Sequence, residues 1–566
     1  MYILGISAFY HDSAAVLVKD GKIISAIEEE RFTRIKHDNR FPFKSIDFCL
    51  RSTDLKVNDI DIIIYYEKPL LKFERLLDTF LDTFPNASRA FTEAIPDWLG
   101  QKIKIENIIN NELGFKNDIL YIPHHVSHAA AGYYTSPFDN TAILTIDGVG
   151  EYQTAGLWTG LRGEIKPLYS IEFPHSIGLL YSAFTAFLGF KVNEDEYKLM
   201  GLSAYGKPIY TDKINRIIDV KSDGSFRLDM SYFSFREKYQ MWSQKFETLF
   251  GAPRLPKDKF KKRHRDLASS IQQIVEEIYM LILNHLYKIT LQKNLCISGG
   301  VALNALANGK IFEKTPFRKI HILGAAGDSG AAIGSALFTY YNLYNTNKHI
   351  NRIKSMPKTL YTGTSYSCNE IFKVIKSLNL SFKYFDTEEE LLTIAAQYLS
   401  KNKVIGWFQG ACEFGPRALG CRSILAKPYP YYMKHKVNLV KKREQYRPFA
   451  ASILQDYVHE YFLTPNKRYY SPFMNFCFQV KSEKRSEIIA VVHRDNSCRI
   501  QTVNRDNGIY YRLVSKYHEQ TASPIILNTS FNLRGEPIVE HPKQAIIDFL
   551  KTSLDYLFIE KFILLK

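Results

Sequence analysis

The sequence predicts an α/β protein of two domains, the first of which carries one strand–loop–hairpin pattern twice. A chain of 566 residues is too long for a single hydrophobic core and is expected to divide into domains. In the first copy of the pattern, residues 2–6 form a strand and residues 8–13 a polar loop. Residues 14–18 and 23–27 then pair as a hairpin, because the Asp20-Gly21 turn between them is a strong hairpin signal.

The second copy of the pattern begins at residue 142. Residues 142–146 form its strand, residues 147–153 its loop, and residues 155–159 and 167–171 its hairpin. Aspartate occurs in both loops. Such a duplication predicts the two-lobed sugar-kinase/actin-like (ASKHA) fold, in which two loops converge on the phosphates of a nucleotide, although architecture alone does not decide function.

The composition excludes several classes of protein. With 46% hydrophobic and 23% charged residues, the chain is an ordinary globular protein. It shows neither the basic leader of a signal peptide nor an apolar run long enough to span a membrane. Its seven cysteines form no CxxC pairs, which predicts reduced thiols and a cytoplasmic location. The net charge of +16 permits nucleic acid or phosphorylated small molecules as partners, and the basic run 257–265 is interpreted as a solvated face.

A histidine-rich helix start is the first candidate site. Pro123 suits the first turn of a helix, and His124 and His128 then lie one turn apart on the same face. Two imidazoles bind one divalent metal at this spacing. Asp147 and Asp328 each follow a predicted strand, and they complete a His2Asp2 set suited to Fe(II), manganese or zinc. Two alternatives to a metal site stay open. In one, the histidines form hydrogen bonds within the start of the helix; in the other, the aspartates cap helices.

Glycine loops follow the later strands of the first domain. Residues 298–304 (SGGVALN) come after a predicted strand at 295–297 and open a helix, where backbone N–H groups can meet phosphate. A tight bend at 324–330 follows the next predicted strand, 320–323, and precedes a helix expected over 331–341. An amphipathic helix is predicted earlier, over 267–290.

The second domain, predicted at 371–566 after a polar linker at 346–370, is rich in arginine-bearing loops. A strand at 404–408 delivers a loop in which arginines stand between glycines, an arrangement that suits bidentate binding of oxyanions. The candidate anion-binding residues of this domain are Arg417, Arg422, Lys442, Arg443, Arg447, Arg499, Asn528, Ser530 and Asn532. Such a group fits a triphosphate or acyl phosphate, where positioning and charge neutralisation drive the reaction.

Several motifs, in order along the chain, resemble those of the NodU/CmcH-type O-carbamoyltransferases. The motifs are residues 30–38 (ERFTRIKHD), 124–129 (HHVSHA), 147–151 (DGVGE), 196–202 (EYKLMGL), 298–304 (SGGVALN) and 325–328 (AAGD). The resemblance runs from the first residues to the end of the chain. It implies an ASKHA domain at 1–345 with a metal site and a YrdC-like α/β domain at 371–566.

The resemblance also implies a two-site reaction. Carbamoyl phosphate and ATP, with Mg²⁺, would give carbamoyladenylate in the C-terminal domain, where Arg417 would be catalytic. The carbamoyl group would then pass to a hydroxyl of a sugar, antibiotic or polysaccharide precursor at the N-terminal metal site, which would hold Fe(II) or another divalent ion. His11, beside Asp12, is the candidate to take the hydroxyl proton. The other candidate cofactor-binding residues are Lys36, Gly148, Gly150, Glu196, Lys198, Gly299, Gly300 and Asn304.

Some positions depart from the family pattern, and two other functions stay open. The family usually has Arg at Ala411, Asn at Cys421 and Gly-Thr at Asn496-Ser497. The alternatives are a tRNA threonylcarbamoyladenosine-type modification enzyme and a non-catalytic ATP-binding regulatory protein. No RNA-binding module is recognisable, so neither a nucleic acid nor a membrane partner is expected, while a homodimer stays open. Residues 70–98 and 222–262 are expected to bind the acceptor.

Overall fold

The computed structural model describes residues 1–237, 240–344 and 357–566, which divide into two compact units. The first unit contains residues 1–24 and the described residues from 39 to 344, and the second contains residues 25–38 and 357–566. The sequence prediction placed 25–38 in the first domain. Of the predicted linker, residues 346–356 lie outside the described part of the chain. Among the described residues, no helix combines the length and the apolar character that crossing a membrane requires.

The first sheet of unit 1 has the strand order β3-β2-β1-β4-β5. Its strands are β1 (Tyr2–Ser7), β2 (Ala14–Lys19), β3 (Lys22–Glu28, whose residues 25–28 are counted in unit 2), β4 (Ile62–Tyr65) and β5 (Ile119–Tyr121). Strand β1 pairs antiparallel with β2 and parallel with β4, and β4 pairs parallel with β5. The predicted strand and hairpin are confirmed, and both Asp20 and Gly21 adopt positive φ in the tight turn.

The second sheet of unit 1 repeats this topology, with the order β12-β11-β6-β7-β8. Its strands are β6 (Asn140–Ile146), β7 (Gln153–Leu161), β8 (Glu164–Glu172), β11 (Asn294–Ser298) and β12 (Lys319–Ile322), and a separate hairpin contains β9 (Ile218–Val220) and β10 (Phe226–Leu228). Strand β6 pairs antiparallel with β7 and parallel with β11, and β11 pairs parallel with β12. The matching order and directions show the duplicated ASKHA-type α/β architecture.

Helices follow corresponding strands of the two sheets. The helices up to residue 344 are α1 (Glu30–Thr33, in unit 2), α2 (Phe43–Arg51), α3 (Pro69–Thr83), α4 (Ser88–Asp97), α5 (Ile105–Glu112), α6 (His124–Tyr134), α7 (Ile177–Phe187), α8 (Glu196–Ser203), α9 (Thr211–Ile214), α10 (Gln244–Phe250), α11 (Lys262–Thr290), α12 (Ala305–Lys314) and α13 (Asp328–Thr339). Helix α6 comes directly after β5, and α13 comes after β12. The predicted histidine-bearing helix is confirmed, with Pro123 as its N-cap, and α13 begins three residues before its predicted start.

Helices α6 and α13 are in very close contact. A Cβ atom on Gly334 of α13 would lie 1.9 Å from the carbonyl oxygen of Ser127 in α6, a distance that no side chain tolerates. Both helices are fully buried over most of their length and rich in alanine. Glycine and alanine therefore let these helices approach closely, which brings the first turn of α6 next to the first turn of α13.

Unit 2 is built on a mixed sheet with the order β13-β21-β20-β14-β15-β19-β16-β18-β17. Its strands are β13 (Phe382–Tyr384), β14 (Ile405–Phe408), β15 (Arg422–Ala426), β16 (Ala450–Leu454), β17 (Phe476–Gln479), β18 (Ser497–Val503), β19 (Ile525–Ser530), β20 (Tyr556–Ile559) and β21 (Phe562–Leu564). Its helices, besides α1, are α14 (Cys368–Ser377), α15 (Glu388–Ser400), α16 (Tyr432–Val440), α17 (Val458–Tyr461), α18 (Ile509–Thr521) and α19 (Pro542–Leu550). This unit is α/β, as predicted; its YrdC-like character stays a prediction.

The end of the predicted linker is part of unit 2. Phe414 donates its N–H to the carbonyl of Leu360, and Cys412 donates to Thr364. Leu360 is completely buried. Polar composition led to the linker prediction, but these backbone hydrogen bonds anchor residues 360–364 within the unit.

Candidate active site

Two imidazoles meet in the first turn of α6. The Nε2 atoms of His124 and His128 lie 3.0 Å apart, and both side chains are completely buried. Two lone pairs that face each other at this distance repel unless a cation lies between or beside them. Two nitrogens bound at about 2.1 Å to one ion, at a right angle, are about 3.0 Å apart.

Two carboxylates complete this cluster. Asp147 Oδ2 lies 3.1 Å from His124 Nε2 and 3.2 Å from His128 Nε2, and Asp328 Oδ1 lies 3.7 and 3.4 Å from the same atoms. One ligand atom from each of the four residues lies within 4.8 Å of the others. The structure thus brings together all four predicted metal ligands, and we call this group the His2Asp2 cluster.

Backbone N–H groups orient Asp147. Its Oδ1 atom accepts hydrogen bonds from the N–H of Gly148 at 2.8 Å and from that of Gly300 at 3.1 Å, which leaves Oδ2 directed at the histidines. Glycine is required at this second contact, because a Cβ atom on Gly300 would lie 2.8 Å from Asp147 Oδ1. Two of the predicted phosphate-binding glycines therefore position a candidate metal ligand.

The far nitrogens of both imidazoles also face polar groups. His128 Nδ1 lies 3.4 Å from Ser298 Oγ, whose proton goes to the carbonyl of Ala326, and His124 Nδ1 lies 3.7 Å from the carboxylate of Glu67. Ser298 Oγ therefore accepts from Nδ1–H, which leaves Nε2 as the lone-pair atom. Metal-binding histidines commonly have partners of this kind.

The charges of the cluster favour a bound cation, either protons on the histidines or a metal ion. Burial lowers the pKa of His124, but the hydrogen bond with Asp147 and the negative charge of Glu67, 3.7 Å from Nδ1, outweigh it and raise this pKa to about 10. Burial similarly opposes ionisation of Asp147, yet the two histidines hold its pKa well below the usual value. Asp328 Oδ2 is buried without a hydrogen-bond partner among the described residues. An electron-rich donor set with an orphaned carboxylate oxygen fits a divalent metal; metal binding itself stays a prediction.

His11 and Asp12 form a pair in the loop after β1. His11 Nδ1 lies 2.8 Å from Asp12 Oδ2, and His11 Nε2 contacts the carbonyl of Asn193. Burial lowers the pKa of His11, but Asp12 outweighs it and raises this pKa to about 10. Because both ring nitrogens face oxygen acceptors, this position favours the imidazolium form of His11, and the ring can take a proton only after Nε2 has lost its own and has left the Asn193 carbonyl.

The other predicted residues of unit 1 have partners within the fold. Glu196 accepts from Ser182 Oγ and from the N–H of Asn193, Lys198 pairs with Asp195 at 2.6 Å, and Asn304 caps α12. These contacts shape the loops around the cluster. Whether the residues also contact a nucleotide stays a prediction. Gly150 lies against the ring of His124, where a Cβ atom would be 3.0 Å away, and Gly299 has φ +99° beside β6.

A buried lysine, Lys441, organises the anion-binding loops of unit 2. Its side chain is almost completely buried, and its ammonium donates to Ser530 Oγ at 3.2 Å and to Asn532 Oδ1 at 2.8 Å. Burial lowers the pKa of Lys441 well below its usual value, and the positive charges of Arg443 and Arg447 lower it further.

Other cations gather around Lys441. Lys36 also lowers the pKa of Lys441, and burial together with Arg447 lowers the pKa of Arg499. Like charges that destabilise one another in a buried setting are common at sites that bind an anion; anion binding here stays a prediction. The residues Lys36, Lys441, Arg443, Arg447 and Arg499 are called the cation cluster below.

The four other predicted anion ligands of unit 2 lie in different surroundings. Arg422 is completely buried and donates to the carbonyls of Gln409, Cys421 and Thr364. Asn528 donates to Ser452 and Gln501 inside the sheet. Lys442 is exposed, and its role in binding an anion stays a prediction. Arg417 is half-buried in the glycine-rich loop.

Sequence reasoning missed the residues that support the cluster. Glu67 contacts a site residue but belongs to no motif. Ser298 lies within the SGGVALN motif and Lys441 beside Lys442, yet neither was singled out, and Tyr10 was passed over beside His11. Burial raises the pKa of Tyr10 and the charges of Asp147 and Asp328 raise it further, which places its hydroxyl near the cluster. The positions of Glu67 and Ser298 at the ends of strands are the signal that could have identified them.

The basic run 257–265 is divided between exposed lysines and arginines that are engaged within the chain. Its four lysines are exposed, as the interpretation of a solvated face predicts. Arg263 donates to the carbonyls of Phe250 and Ala252, and Arg265 donates to that of Phe260. These arginines close the loops before α11, so for them the interpretation needs correction.

Comparison with known families identifies the chain. The model of the carbamoyltransferase N-terminus matches residues 2–337, and that of the carbamoyltransferase C-terminus matches residues 396–566. The chain belongs to the carbamoyltransferase family. The resemblance recognised in the sequence is thereby confirmed, and this carbamoyltransferase has both family domains.

Relatives of this carbamoyltransferase cover its full length. An uncharacterized protein of Synechocystis is 42% identical over all of this chain and 97% of its own length. The nodulation protein NolNO of Sinorhizobium fredii is 36% identical over 99% of this chain and 80% of its own. Solved structures such as full-length HypF are similar only distantly, with 13% identity over 61% of this chain and 56% of that one, and a TM-score of 0.32. The fold assignment therefore rests on the strand order.

Proposed function

We propose that this carbamoyltransferase is ATP-dependent and transfers the carbamoyl group to a hydroxyl of a small, sugar-type acceptor. Carbamoyl phosphate, ATP and one water would give carbamoyladenylate, phosphate and pyrophosphate in unit 2. The acceptor hydroxyl would then attack the carbamoyl carbon in unit 1, and AMP would leave. The observation that carries the proposal is that each unit holds its own constellation: a His2Asp2 cluster in unit 1 and a cation cluster in unit 2.

The cation cluster supports the first reaction. Both substrates are polyanions, and joining them requires their charges to be neutralised before they approach. Buried Lys441 and its neighbours Arg443, Arg447 and Arg499 supply this positive charge. Ser530 and Asn532, which Lys441 holds, add hydrogen-bonding groups beside it.

The His2Asp2 cluster supports the second reaction. When bound, a divalent cation supplies Lewis-acid polarisation of the carbamoyl oxygen; His124, His128, Asp147 and Asp328 would hold it. Ser298 and Glu67 keep the Nε2 atoms of the histidines directed inward. The N–H groups of Gly148 and Gly300 bond to Oδ1 of Asp147, so that Oδ2 is the oxygen that would bind the cation. We assign proton removal from the acceptor to His11, after its Nε2 has lost its own proton to solvent and has left the carbonyl of Asn193.

Separating the two reactions tests the proposal. Arg447→Ala is expected to lower pyrophosphate release from ATP and carbamoyl phosphate by about 100-fold or more, because a charge-neutralising cation is removed. His124→Ala is expected to retain pyrophosphate release and to lose carbamoyl transfer to the acceptor. Both steps are measured on the full chain, by pyrophosphate assay and by mass spectrometry of the acceptor.

The control is Lys376→Ala, which removes an exposed cation from α14 of the same unit and should leave both steps unchanged. Equal loss of pyrophosphate release in the Arg447→Ala and His124→Ala variants would contradict the division of labour. Carbamoyl transfer that proceeds without ATP would contradict the proposed carbamoyladenylate intermediate.

A further inference from the structure

The glycine-rich loop of unit 2, residues 413–422, closes on a buried carboxylate. Glu413, the first residue of this loop, is only 1% exposed. Its Oε1 atom accepts hydrogen bonds from the backbone N–H groups of Leu419 at 2.8 Å, Cys421 at 2.6 Å and Arg422 at 3.0 Å. One carboxylate oxygen thus joins the beginning of the loop to its end.

Arg417 lies at the tip of this loop. Within residues 412–422, all of which the structure describes, only Pro416 and Arg417 are not buried. The backbone on either side of these two residues belongs to the interior of unit 2. The loop therefore presents the predicted catalytic cation from a buried base.

Further hydrogen bonds hold the last part of the loop. The carbonyl of Leu419 accepts from Gln501 Nε2 at 2.8 Å and from the Tyr361 hydroxyl at 2.9 Å. The carbonyl of Gly420 accepts from Trp407 Nε1 at 3.0 Å. Because both the N–H and the carbonyl of Leu419 are bonded inside the unit, the backbone is fixed two residues beyond the tip of the loop.

The charge of Glu413 needs an explanation other than stability. Burial of a carboxylate is unfavourable unless its oxygens are bonded, and Oε2 of Glu413 is buried without a hydrogen-bond partner among the described residues. A negative charge also repels the polyanions that this unit is proposed to bind. A charged acceptor, however, forms hydrogen bonds about twice as strong as a neutral one. The charge is therefore explained if the reaction requires the two ends of the loop to be held firmly.

We propose that Glu413 is a positioning residue for Arg417. By joining the ends of the loop, it fixes the guanidinium at the place where charge develops on the phosphates as carbamoyladenylate forms. A cation that is already in position stabilises a transition state better than one that must first be ordered. Glu413 acts through Arg417 and contacts neither substrate. This inference rests on the proposed function, since it concerns the reaction assigned to unit 2.

The first test is the kinetics of pyrophosphate release by the full chain, at saturating ATP and varied carbamoyl phosphate. Glu413→Gln keeps the size of the side chain and removes its charge. It should lower kcat about tenfold or more and change the KM for carbamoyl phosphate by less than about threefold, because the loss falls on the transition state.

A double-mutant cycle shows whether Glu413 acts through Arg417. In an Arg417→Ala chain, Glu413→Gln should lower kcat by less than about threefold, since the side chain that it positions is already gone. High enzyme concentrations keep slow variants measurable. A merely structural role of Glu413 would lower kcat by the same factor with and without the Arg417 side chain, and that result would overturn the inference.

Hydrogen exchange is the second test, and it does not depend on activity. In the wild type, the N–H groups of Leu419 and Cys421 should exchange as slowly as those of strand β15, although they belong to a loop. In Glu413→Gln they should exchange about tenfold faster or more. Thermal melts establish that the variants are folded. Rapid exchange in the wild type would overturn the inference even if Glu413→Gln did not fold.

Glu370→Gln is the matched control. Glu370 also accepts a backbone N–H, that of Ser367 at 2.8 Å, but it lies in the first turn of α14 and outside the loop. Its kcat and its loop exchange should equal those of the wild type. A folded Glu413→Gln chain with the same kcat as this control would contradict the proposed role.

The two proposals fail separately. A wild-type chain that releases no pyrophosphate contradicts the proposed function, whereas slow loop exchange that depends on Glu413 still supports its hold on the loop. Pyrophosphate release that requires Arg417 but not the charge of Glu413 contradicts this inference and leaves the proposed function intact.

Discussion

At the scale of single residues, the neighbours of each histidine decide what it can do. His124 and His128 direct their Nε2 atoms at two carboxylates, whereas His125, between them in sequence, bonds Thr145 Oγ1 at 2.8 Å through Nδ1. Burial and the positive charges of its neighbours hold the pKa of His125 well below the usual value, which keeps it neutral. Adjacent histidines of one helix turn thus have separate tasks.

Removal of one imidazole should remove the ion. The purified wild type is expected to carry about one divalent ion per chain and dialysed His128→Ala much less, because loss of a nitrogen donor lowers the metal affinity. Metal analysis of the dialysed proteins measures this. His125→Gln is the control, since it changes a buried histidine outside the cluster, and it should retain the ion. A full equivalent of metal in His128→Ala would contradict the assignment.

At the scale of elements, the close contact of α6 with α13 assembles the cluster. His124 and His128 are on α6 and Asp328 begins α13, so the separation of the two helices sets the distance between nitrogen and oxygen donors. Gly334 permits that separation, because the helix backbones touch where its side chain would be. The small residues of these helices, which look like ordinary helix formers in the sequence, are therefore requirements of the site.

Gly334→Ala should destabilise the protein despite its better helix propensity. Alanine gains about 1 kcal/mol over glycine in a helix, but a Cβ atom 1.9 Å from the Ser127 carbonyl forces the helices apart. The expected net loss in free energy of unfolding is about 1–3 kcal/mol, with weaker metal retention, measured by denaturant titration and metal analysis. Gly100→Ala, whose Cβ would meet nothing within 4 Å, should change stability by no more than about 0.5 kcal/mol. Equal stabilities of the two variants would contradict this account.

At the scale of the whole molecule, unit 2 is assembled from two separate parts of the sequence. Arg31 is 1% exposed and donates to the carbonyl of Gly415 at 2.7 Å. Its neighbour Glu28 accepts from the N–H of Gly415 and pairs with Arg31 at 3.4 Å. Residues 25–38 are therefore structural members of unit 2.

A fragment containing only residues 357–566 should be unstable on its own. It lacks the buried Arg31–Glu28 pair and leaves the backbone of Gly415 without these partners, a loss of roughly 3–5 kcal/mol. Added synthetic peptide 25–38 should raise its melting temperature in a concentration-dependent way. A scrambled peptide of the same composition is the control. A fragment that melts cooperatively and identically with and without the peptide would show that the segment is dispensable.

The sequence by itself determined the features that depend on near neighbours along the chain. The Asp20-Gly21 hairpin, the repeated strand pattern and the histidine pair of α6 follow from turn chemistry, alternation and helical spacing, each of which acts over a few residues. The carbamoyltransferase resemblance also came from short motifs in order. These signals were sufficient for the fold class, for the enzyme family and for the four residues that the structure gathers into the His2Asp2 cluster.

Only the tertiary structure decided which groups face one another over long separations. The burial of Lys441 depends on its contacts with the Ser530 loop. The place of Arg31 in unit 2 depends on its hydrogen bond with Gly415. Burial and partners of this kind leave no periodic trace in the sequence, because they are set by how distant segments pack and not by neighbouring residues.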